Sequence, residues 1–187
     1  RRVALPSREQ AATYAPTWAE MDASIEAHTT SHYRDLCWLL RCTGLRKSQA
    51  LGLRWEDIDL DRGVLYVRPE LGKTKAERRG RRVPVAPVLL ADLAGWGVRR
   101  GYVIRWPSRL RKPHNITLQR AWERAGVDAS KWRKRTAHAY RKGLATGLIE
   151  AGAGREAVEF LLGHSMGLRG VYTDPRALGL CAAVDLV

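Results

Sequence analysis

A chain of 187 residues, 45% of them hydrophobic, is long enough to bury a core and too apolar for a disordered tail. Its net charge of +14, from 33 Lys and Arg against 19 Asp and Glu, argues against an enzyme of small metabolites. It favours a polyanionic partner, because each phosphate a cation neutralises releases condensed counterions. The chain lacks an apolar run of the roughly 20 residues that span a bilayer. Arg1-Arg2-Val3 is followed by no apolar stretch of the kind a signal peptide needs. Cys37, Cys42 and Cys181 match neither a disulfide framework nor a metal spacing, so the expected setting is a reducing cytoplasm, without membrane contact.

In chain order, residues 1–16 carry no periodic pattern and read as a strap or linker, with one domain expected over 17–187. Thr17-Trp18-Ala19-Glu20 has the form of a capping box and predicts a helix to about residue 28. Tyr33, Leu36, Cys37, Leu39 and Leu40 share one face of a second helix over 31–43, which Gly44 ends. A short helix over about 47–54 leads into a small sheet. Asp61-Arg62-Gly63 marks a turn, Val64-Leu65-Tyr66-Val67 a strand, and a second strand ends at Val83-Pro84-Val85. The segment 73–82 between them is then an exposed hairpin connection. Helices follow over about 87–97, 115–125, 137–151 and 155–162, with a short extended piece at 102–106 and a last helical turn containing Tyr172. The expected fold is mainly α with a small antiparallel β-sheet, an α+β domain.

The basic charge is clustered. Residues 73–82, 99–112 and 131–142 hold six Lys or Arg each, 18 of the 33 in 36 positions. Candidate nucleic-acid contacts are therefore Arg78, Arg79, Arg81 and Arg82 in the first stretch, and Lys131, Arg133, Lys134, Arg135 and Lys142 in the last. Several of the seven tryptophans stand beside arginines, but a place in the core accounts for most of them.

Five further residues bear chemistry: Arg46, His138, Arg141, His164 and Tyr172. Singly, each has a commonplace explanation: a helix-end arginine capping carbonyls, a chance His/Arg pair, a satisfied histidine, an ordinary tyrosine. Together they make a reactive set. Two planar guanidinium groups can grip a phosphate and compensate charge as its transition state forms. A histidine on the same helical face, three residues from Arg141, can donate to a phosphate oxygen or accept a proton.

The order and wording of these segments resemble one family. Thr-Gly-Leu-Arg-Lys-Ser-Gln-Ala-Leu-Gly-Leu-Arg-Trp-Glu-Asp-Ile-Asp, a Lys-rich hairpin ending in Val-Pro-Val, then His-x-x-Arg, Leu-Gly-His-Ser and Val-Tyr-Thr occur in that sequence. The chain is similar, from about residue 17 to its end, to the catalytic domain of tyrosine recombinases, the phage integrases and Xer-type enzymes. The resemblance implies that Tyr172 attacks the scissile phosphate to give a 3′-phosphotyrosyl link and a free 5′-hydroxyl. Arg46 and Arg141 would clamp the phosphate, His138 would assist proton transfer and His164 would bond a phosphate oxygen. A hairpin lysine, Lys73 or its rival Lys75, would protonate the leaving 5′-oxygen. It implies no metal and no ATP, double-stranded DNA as partner, a homotetramer on DNA with C-terminal tails exchanged between neighbours, and a place at the nucleoid.

Three departures stand out. Gln49 occupies a position where the family usually has an acid; it can hydrogen-bond near Arg46 but carries no charge. The step from His164 to Tyr172 is eight residues, about one shorter than common in the family. The N-terminal core-binding domain usual in the family is not expected within residues 1–16. A DNA-binding protein with a degenerate site, or a type IB topoisomerase-like relaxing enzyme, is the alternative reading.

Overall fold

A computed structural model describes residues 14–73, 78, 80–97, 99–107, 113–128, 136–164 and 179–187. Helix α1 (Trp18–Glu26) starts as its sequence predicts. Thr17 Oγ1 accepts the Glu20 N–H at 3.3 Å and Glu20 Oε2 takes the Thr17 N–H at 2.7 Å, a reciprocal cap that satisfies two otherwise orphaned donors. Helix α2 (Ser31–Thr43) buries the predicted stripe of Tyr33, Leu36, Cys37, Leu39 and Leu40. It ends at Gly44 in the left-handed conformation, φ 61°. A side chain there would be strained and would also strike Leu162 at 2.6 Å and Leu144 at 2.8 Å.

Helix α3 (Lys47–Gly52) follows, then a single 3₁₀ turn, Trp55–Asp57. The sheet has one strand more than the sequence predicts: β1 (Ile58–Asp59), β2 (Val64–Val67) and β3 (Arg81–Pro84) pair antiparallel in that order. Alternation decides its faces. Leu65, Val67 and Val83 are buried, while Tyr66 and its cross-strand partner Arg82 are exposed. Because β3 begins at Arg81, the last two residues of the predicted connection 73–82 belong to the strand and not to the hairpin loop. Residues 102–106 contribute only an isolated bridge, Tyr102 to Arg54.

The remaining described helices are α4 (Pro87–Gly95), α5 (Asn115–Arg124), α6 (Thr136–Glu150), α7 (Arg155–Leu162) and α8 (Leu180–Val184). Helix α6 packs on α2 and also meets α1, α5 and α7. Helix α8 closes over α7 and β3, burying Ala183 and Val184 against its own chain. The described tryptophans side with the core: Trp122 and Trp55 are buried, and Trp18 and Trp38 pack on the core with the Arg41 guanidinium 4.5 and 5.2 Å from their rings. Arg41 is thereby shielded and ion-paired to Asp22 at 2.8 Å. No helix of the described residues is long and apolar enough to cross a membrane.

A polar network threads this helical core. Tyr140 Oη and Ser24 Oγ lie 2.7 Å apart, and Cys37 Sγ lies 3.4 Å from His28 Nε2. The His28 ring stacks on Tyr33 with centroids 5.3 Å apart. Burial, reinforced by the neighbouring Arg124, Arg34 and His32 charges, lowers the pKa of His28 to about 4 from an ordinary 6.5. Between those values the unfolded chain binds a proton that the folded chain refuses. The stability His28 contributes is thus present above pH 6.5 and is lost as pH falls toward 4. Urea midpoints measured from pH 7.5 down to 4.5 should fall, and His28→Gln should flatten that slope; an equal slope in the variant would remove His28 as its source.

Candidate active site

The turn between α2 and α3 presents Arg46. Gly44 ends α2, Leu45 is buried 1% exposed as an anchor, and Arg46 stands at the N-cap of α3 in extended conformation. Its N–H is one of the orphan donors of a helix start, and Gln49 Oε1 accepts it at 3.0 Å. Gln49 thus serves the backbone of Arg46. Its Nε2, fully buried, finds no partner among the described residues. A carboxylate at this position would accept the same N–H and leave no donor unsatisfied.

Helix α6 presents His138 and Arg141. Ala139 and Tyr140 are buried, Tyr140 against Trp122 at 4.8 Å between ring centroids, and this fixes the rotation of the helix. His138 and Arg141, three residues apart, fall on the adjoining face. Arg141 is only 2% exposed. Its Nη1 donates to the Gly44 carbonyl at 2.7 Å and its Nη2 to the Leu162 carbonyl at 2.6 Å. The side chain therefore joins the turn that carries Arg46 to the end of the helix that precedes His164.

Arg46, Lys73 and His138 line one cavity of about 550 Å³, together with Lys47, Ser48 and Asn115. These residues come from four segments far apart in sequence. Lys47 Nζ reaches Asn115 Oδ1 at 3.2 Å and the Pro113 carbonyl at 3.4 Å, fastening the start of α5 to α3 as one wall of the cavity. Sequence reasoning did not single out Lys47 or Asn115. Lys47 could have been found from its place next to Arg46; nothing local marks Asn115. Arg141, expected from the sequence to clamp the phosphate, is not in the described lining; it bonds the Gly44 carbonyl, next to Leu45 and Arg46 of that lining. His164 is exposed, just beyond the end of α7, and its N–H bonds the Glu159 carbonyl at 2.9 Å.

Of the two lysines predicted from the hairpin, Lys73 is placed at the cavity, exposed and ahead of β3. Lys75 and Tyr172 lie outside the described residues, as do Arg79, Lys131, Arg133, Lys134 and Arg135. Arg78 and Arg82 are exposed and Lys142 is half-buried. Arg81 is half-buried, and its Nε donates to the Leu161 carbonyl at 3.3 Å.

The cavity brings Arg46, Lys47, Lys73 and His138 together on a mainly helical domain, a set of cations and donors of the kind that suits a phosphate. The chain belongs to the phage integrase family, whose model matches residues 19–169. It is 32% identical over 152 residues to tyrosine recombinase XerA of Thermococcus kodakarensis, covering 76% of this chain and 50% of that protein. It is 34% identical over 154 residues to tyrosine recombinase XerD of Mycobacterium tuberculosis, covering 77% of this chain and 48% of that one. The chain thus spans about half the length of these relatives. In fold it is similar to the integrase from mycobacterium phage Brujita, with a TM-score of 0.73 at 21% identity over 98% of this chain and 61% of that one. A XerA recombinase structure matches with a TM-score of 0.64 at 17% identity, over 97% and 61% of the two chains. The fold is that of the tyrosine recombinase catalytic domain.

Proposed function

We propose that this chain is the catalytic domain of a site-specific recombinase that cleaves and rejoins double-stranded DNA through a covalent 3′-phosphotyrosyl intermediate. The observation that carries this reading is the meeting of Arg46, Lys73 and His138 at one cavity, with Arg141 bracing its wall. A phosphodiester set in such a cavity meets a guanidinium able to bind two of its oxygens, which compensates charge as the pentacoordinate transition state forms. His138 stands in reach of the same oxygens and can hold or pass a proton. Tyr172 supplies the nucleophilic hydroxyl, and His164 bonds a non-bridging oxygen. The tyrosyl ester keeps the energy of the broken phosphodiester, so a second 5′-hydroxyl can displace the tyrosine and restore the strand.

Lys73 is the general acid for the leaving 5′-oxygen in this reading. General acid catalysis is worth about 10²–10⁴-fold, and Lys73→Ala should lose an amount in that range with an ordinary substrate. A substrate whose leaving 5′ atom is sulfur needs no proton at that step, so it should restore Lys73→Ala to nearly the wild-type rate. Lys75→Ala should behave as wild type with both substrates. If the sulfur substrate instead rescues Lys75→Ala and not Lys73→Ala, the acid is Lys75.

Arg78, Arg82, Lys142 and the cations of the basic stretch 131–135 provide sequence-independent phosphate contacts. A structural neighbour is the Tn1549 transposon integrase in complex with transposon right end DNA, matched with a TM-score of 0.61 at 18% identity, which supports a DNA duplex as the partner here. The working assembly is a homotetramer on DNA in the cytoplasm, at the nucleoid. Residues 179–187 dock on their own chain, so tail exchange between neighbours would require releasing α8 from α7 and β3.

The deciding experiment uses duplex DNA nicked near the scissile phosphate, so that the freed fragment diffuses away and any covalent complex is trapped. A protein–DNA adduct stable to denaturant, with the nucleotide mapped to the peptide containing Tyr172, is the expected product. Salt-sensitive binding without any adduct would favour the degenerate DNA-binding protein.

A further inference from the structure

The end of α7 gives Arg81 a task that its place in a basic stretch does not suggest. A helix leaves its last four carbonyls without donors of its own. For α7 these belong to Glu159, Phe160, Leu161 and Leu162. Two are satisfied by the backbone: His164 N–H bonds Glu159 O at 2.9 Å and Gly163 N–H bonds Phe160 O at 2.8 Å, the paired bonds of a Schellman turn. Leu162 O takes Arg141 Nη2 at 2.6 Å. The fourth, Leu161 O, takes Arg81 Nε at 3.3 Å.

Gly163 shows how closely the Arg81 side chain is fitted here. It lies in the left-handed region, φ 70°, and a Cβ added to it would stand 2.5 Å from Arg81 Nη1 and 2.7 Å from Cζ. The guanidinium therefore occupies the space that a side chain at 163 would fill, one residue before His164. Its positive charge also suits the negative end of the helix dipole. On the sheet side, Arg81 pairs with Val67, and the chain between them carries Lys73.

We propose that Arg81 is a positioning residue for His164: it ties the strand that closes the lysine hairpin to the turn that presents His164. The inference rests on the recombinase reading for its catalytic consequence, but its structural content stands by itself. Arg81 holds the α7 end from the sheet, Arg141 holds it from α6, and the two brace neighbouring carbonyls. His164 is then presented by a turn clamped from two sides.

The test has one arm without DNA and one with it. Arg81→Met keeps the aliphatic stem and removes donor and charge; Arg81→Lys keeps the charge. In the full chain, amide hydrogen exchange at Gly163 and His164 should quicken about tenfold or more in Arg81→Met, the scale of one charge-assisted hydrogen bond. Amides of Leu36 and Leu40 in the core should stay as protected as in wild type. Unchanged exchange at Gly163 and His164 overturns the proposal whatever the activity. With the nicked substrate, Arg81→Met should slow adduct formation about tenfold, with DNA affinity and its salt slope retained. The double variant Arg81→Met/His164→Ala should be no slower than His164→Ala alone. Additive losses, with the salt slope reduced by about one, would make Arg81 a phosphate contact and overturn the positioning role. If wild type forms no adduct at all, the recombinase reading fails separately, and the exchange arm alone decides whether Arg81 holds the turn.

Discussion

Tyr172→Phe should abolish the covalent protein–DNA complex while leaving DNA binding close to wild type. The substitution removes one oxygen and keeps the ring, so it subtracts the nucleophile and little else. The effect should be complete because no other group placed at the reaction can carry the phosphoryl link. Loss of a stabilising donor slows a reaction; loss of the attacking atom ends that route. Two measurements belong together: the adduct on a nicked substrate, resolved under denaturing conditions, and the salt dependence of binding under native ones. The expected pair is no adduct and an unchanged salt slope, because the phosphate contacts that set the slope remain. Adduct persisting in Tyr172→Phe would sink the assignment of the nucleophile. A binding loss as large as the adduct loss would show that the hydroxyl holds the DNA, and the missing adduct would then follow from lost binding instead of a lost nucleophile.

Arg141→Ala should cost both activity and fold. The guanidinium is 2% exposed and bonds two carbonyls, Gly44 at 2.7 Å and Leu162 at 2.6 Å. Truncation leaves both acceptors buried without this donor. Each hydrogen bond to a charged group is worth roughly 1.5–3 kcal/mol, so a loss of about 3–5 kcal/mol in unfolding free energy is expected. A small domain has only about 5–15 kcal/mol in all, so the variant should unfold at a markedly lower urea midpoint. Catalysis should fall by about 10²–10³-fold, because the turn that presents Arg46 to the cavity loses one of its fastenings and misplaces a charge-stabilising donor. Arg141→Lys separates the two effects. An ammonium can reach one carbonyl but cannot bridge both in the planar fork of a guanidinium, so it should recover part of the stability and little of the rate. A variant as stable as wild type would mean that Arg141 does not hold the Arg46 turn and the α7 end together.

Both predictions bear on how the site is built. Arg46 is carried on a turn only three residues long, Gly44 to Arg46, between the last residue of α2 and the first of α3. Gln49 fastens that turn from one side through its backbone, and Arg141 fastens it from the other through Gly44. The same Arg141 reaches the last carbonyl of α7, so a disturbance at one end is felt at the other. Preorganisation of this kind is what a phosphate-gripping site needs, because donors already aimed at the developing charge spend nothing on reorganisation during the reaction.

Much of this was legible in the sequence. The capping box at Thr17, the buried stripe of α2 and its glycine stop are local patterns, set by hydrogen-bond chemistry and helical period within a few residues. The residue types of the site were legible too, because Arg, His and Lys in ordered motifs announce phosphate chemistry whatever surrounds them. The third strand was missed because two residues, Ile58–Asp59, are too short for any alternation to register. The strand start at Arg81 escaped for a related reason. Arg81 shares a face with the buried Val83 while Arg82 shares one with the exposed Tyr66, but that alternation has meaning only once the strand boundary is known.

What the sequence determined by itself was the inventory: a basic mainly helical domain, its helix starts and stops, and the reactive side chains with their order. Only the tertiary structure decided how those side chains divide their work. It placed Lys73 beside Arg46 and His138, turned Arg141 inward to join two turns, and set Arg81 on the end of α7 instead of leaving it on the surface with its basic neighbours. The physical reason is that a guanidinium looks alike in sequence whether it meets a phosphate or a carbonyl. Which it meets depends on the orphaned acceptors that packing brings near it, and the carbonyls at the end of α7 come from residues 80 positions away from Arg81.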